Sequence, residues 1–317
     1  MESTLKSGRG FNSPIEGKGM FITDGGLETT LIFHDGLDLP HFAAFDLLKS
    51  RDGYEILRKY YDRYASLAHS YSKNFILESP TWRANPDWAE RLGYHAQALD
   101  HANRQAIEMM KAIRLSYQSE QSRFLISGCI GPRGDGYSVE SKMSVYEAEA
   151  YHATQAKSFA WAEVDLITGV TINYVEEALG IVQASSKLGV PAVISFTVET
   201  NSKLPSGQEL GEAIEQIDRE AWEKPAYYMI NCAHPSHFID LLKEPTHWMD
   251  RIQGIRANAS KKSHAELDQC EELDEGNPHE LSRDYMKLKN KLKNLQVVGG
   301  CCGTDHRHIE AICKQLF

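Results

Sequence analysis

Short apolar runs alternate along the chain with longer stretches whose apolar residues recur every three to four positions. The short runs read as strands: Phe21-Ile-Thr23, Asn74 to Leu77, Phe124 to Ile126, Val164 to Ile167, Pro191 to Phe196, Ala226 to Ile230, Arg251 to Ile255 and Leu295 to Val298. Between them, Tyr54, Leu57, Tyr61, Tyr64 and Leu67 fall on one helix face, and a single long helix is predicted from Asp87 to Tyr117. Val145 to Ala162 reads as helical. Val175, Ala178, Leu179 and Val182 line a further helix, with Gly189 as its stop. Gly207 to Ile217 and a start at Phe238 to Leu242 predict shorter helices. Asn277-Pro278 predicts another, Asn as cap and Pro at the first position, with Leu281, Tyr285, Leu288 and Leu292 as its buried stripe. A last helix runs to Phe317.

Eight strands alternating with helices predict an α/β fold, a single-domain (β/α)8 TIM barrel over residues 20–317. An open doubly wound sheet competes, but the first strand turns through Asp24-Gly-Gly26 and not through G-x-G-x-x-G. Residues 1–19, rich in Gly, Ser and charge, read as a loose arm. Residues 258–277 are polar and charged, without apolar periodicity, and read as an excursion from the seventh strand.

Charge excludes some partners. Lys plus Arg is 34 and Asp plus Glu is 44, a net charge of −10. That balance argues against a nucleic-acid surface and against an anionic-membrane anchor. No run is apolar enough to span a bilayer. The start, Met1 to Gly10, holds no apolar core of a signal peptide, so a cytoplasmic location is expected. Oligomeric state is left open. Six cysteines are expected to stay reduced in such a setting.

Three of those cysteines fall just past strands. Cys232 follows the sixth within Ile230-Asn-Cys-Ala-His-Pro235. Cys301 and Cys302 follow the eighth within Val298-Gly-Gly-Cys-Cys-Gly-Thr304. Strand C-termini carry the chemistry of a barrel. Three thiolates converging there make a zinc site with one position open, which is a catalytic pattern. Ordinary buried cysteines are the competing reading. Cys129, Cys270 and Cys313 read as bystanders, Cys129 being the one placed to reach the cleft. His234, His237, His306 and His308 read as surface or helix-start residues.

Asn231-Cys232, Gly299-Gly-Cys-Cys-Gly-Thr304 and Asp24-Gly-Gly26 together resemble the homocysteine S-methyltransferase family, zinc-dependent barrels that methylate homocysteine to methionine; the resemblance runs from Phe21 to the C-terminus. It implies Zn²⁺ on Cys232, Cys301 and Cys302, a substrate thiol as fourth ligand, Asp24 on the homocysteine amino group, and the Gly26 and Leu27 amides on its carboxylate. It also implies Thr81 and Trp82 near the substrate. The partners are then a small thiol acceptor and a small soluble methyl donor such as S-methylmethionine, S-adenosylmethionine or a betaine-like onium. Zinc-free protein is expected to hold a Cys–Cys bridge.

The chain departs from the family at Val170, which stands where a glutamate usually binds the substrate amino group. Weak homocysteine binding, or preference for a thiol without a free amine, is the expectation, and Val170→Glu is expected to tighten homocysteine binding. Arg133, in the Gly131 to Gly136 loop, reads equally as a contact for a donor carboxylate and as a solvated loop residue. Two other readings stand beside the methyltransferase: a phosphate-binding barrel cradling its ligand on Gly299-Gly300, and a non-catalytic zinc protein.

Overall fold

Eight parallel strands close on themselves in chain order in the computed structural model, which describes residues 13–270 and 272–317. They are β1 (Phe21–Ile22), β2 (Asn74–Glu78), β3 (Phe124–Ile130), β4 (Leu166–Ile172), β5 (Ala192–Phe196), β6 (Tyr227–Asn231), β7 (Ile252–Ala257) and β8 (Val297–Gly300). Closure comes at β1, where Phe21 pairs with Asn74 of β2 on one side and Val297 of β8 on the other. This is the (β/α)8 barrel expected from the sequence.

Alternate strand residues point inward and fill the barrel. Phe21, Ile76, Leu125, Leu166, Val193, Tyr227, Met229 and Val297 form one buried cluster. A second, larger core lies between strands and helices. Ile15 is fully buried on the inner cluster. Of the stretch read as a loose arm, then, Ile15 packs on the barrel and residues 16–19 are exposed, while residues 1–12 lie outside the described ones.

Most helices follow the pattern. Helix Arg51–Ser70 buries Leu57, Tyr60, Tyr61 and Tyr64, and Ser50 caps it by accepting from the Gly53 amide. Helix Val175–Lys187 gives way to Gly189 at φ +72°, the left-handed stop its sequence calls for. Helix Pro278–Lys291 starts on Asn277, whose side chain accepts from the His279 and Glu280 amides.

Three expectations need correction. The stretch Asp87 to Tyr117 is two helices, Pro86–Arg91 and Ala96–Tyr117. Gly93 at φ +79° ends the first, and the His95 ring caps the second. The predicted helix at Gly207 starts later, at Leu210. The apolar run at Phe238 makes only the short 3₁₀ turn Ile239–Leu242. Among the described residues no helix is long and apolar enough to cross a membrane.

Candidate functional site

A cavity of about 740 Å³ opens at the C-terminal end of the barrel. Cys232, Cys301 and Cys302 meet in its floor, their sulfurs all within 4.8 Å of one another, and no other such cluster of possible metal ligands occurs among the described residues. Cys232 and Cys301 are joined as a disulfide, with Cα atoms 5.3 Å apart, and Cys302 is a free thiol. Burial pushes the Cys302 thiol up to about 11. A thiolate there at neutral pH therefore needs a cation beside it.

Local backbone chemistry presents these sulfurs. Cys232 itself sits at φ +52° and Thr171, at the end of β4, at φ +62°. The left-handed region is costly for a non-glycine residue, most of all a β-branched one. Asn231 holds the strained pair of strand ends together. Its side-chain oxygen accepts from the Thr171 amide (3.0 Å) and the Ser195 hydroxyl (2.6 Å), and its Nδ2 donates to Thr171 Oγ1 (2.8 Å). Thr171 Oγ1 in turn donates to Cys232 Sγ at 3.7 Å. From the helix Pro278–Lys291, Tyr285 accepts from the Ala257 amide (2.9 Å) and donates to the Gly299 carbonyl, tying the ends of β7 and β8.

The glycines before Cys301 are there for close approach. A Cβ on Gly299 would collide with Thr23 Oγ1, and one on Gly300 with Thr304 Oγ1. Gly300→Ala is therefore expected to cost about 1–3 kcal/mol, the usual range for overpacking a tight site. Urea unfolding of the reduced protein checks this, and an unchanged midpoint would contradict it. Nor do these residues leave a phosphate cradle: the Gly300 amide donates to the Asp24 carbonyl (2.9 Å) and that of Cys301 to the Ala257 carbonyl (2.8 Å).

Arg256, at the end of β7, was not foreseen. Its buried guanidinium donates to Asp24 Oδ1 at 2.7 Å, to Glu78 Oε2 and to the Gly300 carbonyl at 3.0 Å. Tyr60 donates to the other Asp24 oxygen at 3.1 Å. Asp24 thus lines the cavity with both oxygens engaged. Burial raises its pKa while Arg256 opposes the rise. The Gly26 amide is also committed, donating to the Thr304 carbonyl at 2.9 Å, which removes it as a free carboxylate donor. Leu27 opens the short helix Leu27–Thr29, where a first-position amide has no partner within the helix.

Trp82 lines the cavity, its Nε1 donating to the Val170 carbonyl at 3.1 Å, and Val170 lines it too. Thr81 does not. It is fully buried, bonding to Ser79 Oγ and the Cys129 carbonyl, both at 2.7 Å, so its hydroxyl builds the β2–β3 rim and its expected place beside the substrate is withdrawn. Arg133 is exposed and pairs with Asp87 at 2.7 Å, away from the cavity. His234, His237 and His308 are buried and capping or bonded to backbone oxygens; His234 and His308 stand at helix starts, His237 ends the short turn Pro235–His237, and none is at the surface. Cys313 is buried in the outer core, whereas Cys129 and Cys270 both line the cavity.

The charged excursion forms a wall of this site. Ser260, His264, Leu267, Cys270 and Asp274 all face the cavity. His264 bonds Glu199 (3.0 Å) and the Cys232 carbonyl (2.6 Å), while its ring packs on Tyr137 at 4.1 Å. The Tyr137 hydroxyl lies 3.9 Å from Cys302 Sγ.

Two further cavity groups escaped the sequence reading. Glu28, half-buried in the turn after Asp24, accepts from its own amide, and burial pushes its carboxyl up to about 7. Arg83 is buried between Trp82 and Trp88, 4.0 and 3.9 Å from their ring centres. A charged residue two positions after Asp-Gly-Gly and an Arg close to two tryptophans were the available signals.

The family profile of the homocysteine S-methyltransferases matches residues 21–316. Homocysteine S-methyltransferase 1 of Arabidopsis thaliana is 23% identical, over 94% of each chain. Two crystal structures of the homocysteine methyltransferase MmuM from Escherichia coli are similar in fold. The metallated form gives a TM-score of 0.73 at 17% identity, covering 95% of this chain and 98% of that one. The oxidized form gives 0.75 at 16%, covering 96% and 98%.

Proposed function

Because the chain belongs to the homocysteine S-methyltransferase family, we propose that it moves a methyl group from a small soluble onium donor to a thiol, homocysteine first among them, with Zn²⁺ held by Cys232, Cys301 and Cys302. The observation that carries this reading is the convergence of three cysteine sulfurs, within 4.8 Å, on the cavity at the C-terminal end of the barrel. Tetrahedral zinc with Zn–S bonds of about 2.3 Å needs sulfurs roughly 3.8 Å apart, so the span suits the ion once the Cys232–Cys301 bond is reduced. Soft sulfur ligands favour zinc over magnesium or calcium. When bound, the ion supplies the positive charge that keeps a thiol deprotonated near neutral pH.

The rest falls to the protein. Thr171 and Tyr137 place hydroxyls beside Cys232 and Cys302, and such partners orient and tune ligand sulfurs. Asn231 and Tyr285 hold the strand ends that carry the cysteines, the fixed geometry that an in-line methyl transfer requires. Trp82, Trp88, Phe33 and Phe42 give the cavity aromatic walls that favour a cationic donor and exclude water. The phosphate-cradle alternative is not favoured, since the Gly300 and Cys301 amides are already bonded.

The test is methyl transfer by reduced, zinc-loaded protein to homocysteine, with S-methylmethionine, S-adenosylmethionine and betaine compared as donors. Methionine should form with at least one. Titration of homocysteine into the same protein should release about one proton per site near neutral pH, as expected when a thiol binds as thiolate. Thiol binding without proton release would remove the thiolate from the account.

A further inference from the structure

We infer that Glu28 and Arg83 are the specificity-determining pair of this site, Glu28 receiving the ammonium and Arg83 the carboxylate of an amino-acid thiol. The inference rests on the thiol-transfer reading above and adds the residues that read the rest of the substrate.

The cavity's other inner carboxylates are committed. Asp24 is bonded by Arg256 and Tyr60, Glu78 by Arg256, and Asp274 by Ser260 Oγ at 2.7 Å and the Gly276 amide at 3.0 Å. Glu28 accepts only from its own amide. Its turn is pinned to the cysteine loop from both sides. The Gly26 amide donates to the Thr304 carbonyl, and the Gly303 amide donates to Thr29 Oγ1 at 3.2 Å. Glu28 is therefore carried next to Cys301 and Cys302, and its charge acts on the Cys302 thiol. With Val170 at the end of β4, it is the free carboxylate left for an ammonium beside the sulfurs.

Arg83 is the matching cation. It is 6% exposed, wedged between two tryptophan rings, and one edge is only partly satisfied. Nη1 donates to the Gly134 carbonyl at 2.9 Å, while buried Nε has no partner. A buried donor without an acceptor is costly, and a guanidinium fixed in plane by stacking presents its free edge to a carboxylate. Glu28 and Arg83 both line the cavity and lie within electrostatic reach of each other. An ammonium and a carboxylate on one carbon would satisfy both.

The experiment is calorimetric titration of the reduced, zinc-loaded protein with three thiols. Homocysteine carries both charges, 4-mercaptobutanoate lacks the amine and 3-mercaptopropylamine lacks the carboxylate. Homocysteine should bind most tightly, each truncated thiol being about ten- to a hundredfold weaker, the usual worth of one charge-assisted hydrogen bond. Glu28→Gln should weaken homocysteine and the aminothiol by that factor and leave 4-mercaptobutanoate unchanged. Arg83→Met should do the reverse, weakening homocysteine and the mercaptoacid alone. Equal affinities for the three thiols in the wild type, or a Glu28→Gln loss that is the same for the amine-free thiol, would overturn the inference. The wild-type series and the near-isosteric Glu28→Gln decide it even if Arg83→Met fails to fold. Absence of binding by all three would overturn the thiol reading itself, whereas thiol binding without the crossed pattern overturns only the assignment of Glu28 and Arg83.

Discussion

Replacing Cys232, Cys301 or Cys302 by alanine is expected to take the reduced protein from about one bound zinc per chain to almost none, and methyl transfer with it. The three sulfurs lie within 4.8 Å of one another at the ends of β6 and β8. Even the hydrogen-bond partners of metal ligands typically change affinity by about 10- to 100-fold, so loss of a ligand itself should exceed that. Cys313→Ala and Cys270→Ala serve as controls. Cys313 is buried on the last helix, and Cys270 lies on the excursion wall outside the three-sulfur cluster. Zinc is counted by metal analysis after removal of loose metal. Reductant matters, because a Cys232–Cys301 disulfide leaves two of the three sulfurs unable to act as thiolate ligands. Adding reductant and zinc to oxidised wild type should restore both metal and activity, and full zinc retention in a Cys301→Ala, Cys302→Ala double variant would contradict the assignment.

Arg256→Met should destabilise the protein by about 3–5 kcal/mol, because it leaves buried carboxylates without their cation. The guanidinium is 9% exposed and bonds Asp24 and Glu78, themselves 4% and 5% exposed. It also reaches the Gly300 carbonyl, so it joins β1, β2, β7 and β8 directly under the cysteines. Arg256→Lys should recover little, since an ammonium lacks the planar fork that serves three acceptors at once. Adding Asp24→Asn and Glu78→Gln to Arg256→Met should recover much of the loss by removing the stranded charges. Urea unfolding measures all three. A single-variant loss below about 1 kcal/mol would mean that the cluster is not what holds these strand ends.

The barrel was legible because each strand is a short local run and each helix a local period. Gly189 and Asn277-Pro278 marked their boundaries by chemistry confined to a few neighbours. The break at Gly93 was hidden by apolar residues that continue the helical spacing on both sides of it. The cysteine cluster was legible because Gly-Gly-Cys-Cys-Gly is a compact signal and strand ends converge in a barrel. Contacts between distant strands were not. Arg256 bonds residues in β2 and beside β1 that no spacing connects to it, so Asp24 looked free when both its oxygens are engaged. Thr81 was expected beside the substrate from the resemblance, because strand direction alone does not tell which way a side chain turns after the strand ends. The excursion had no apolar periodicity to show what it packs on, yet its polarity suits the wall of a charged cavity.

X-ray absorption at the zinc edge tests the central claim most directly. Reduced, zinc-loaded protein should show three sulfurs at about 2.3 Å and one lighter neighbour, and saturation with homocysteine should convert that shell to four sulfurs. An unchanged shell at saturating thiol would contradict the account.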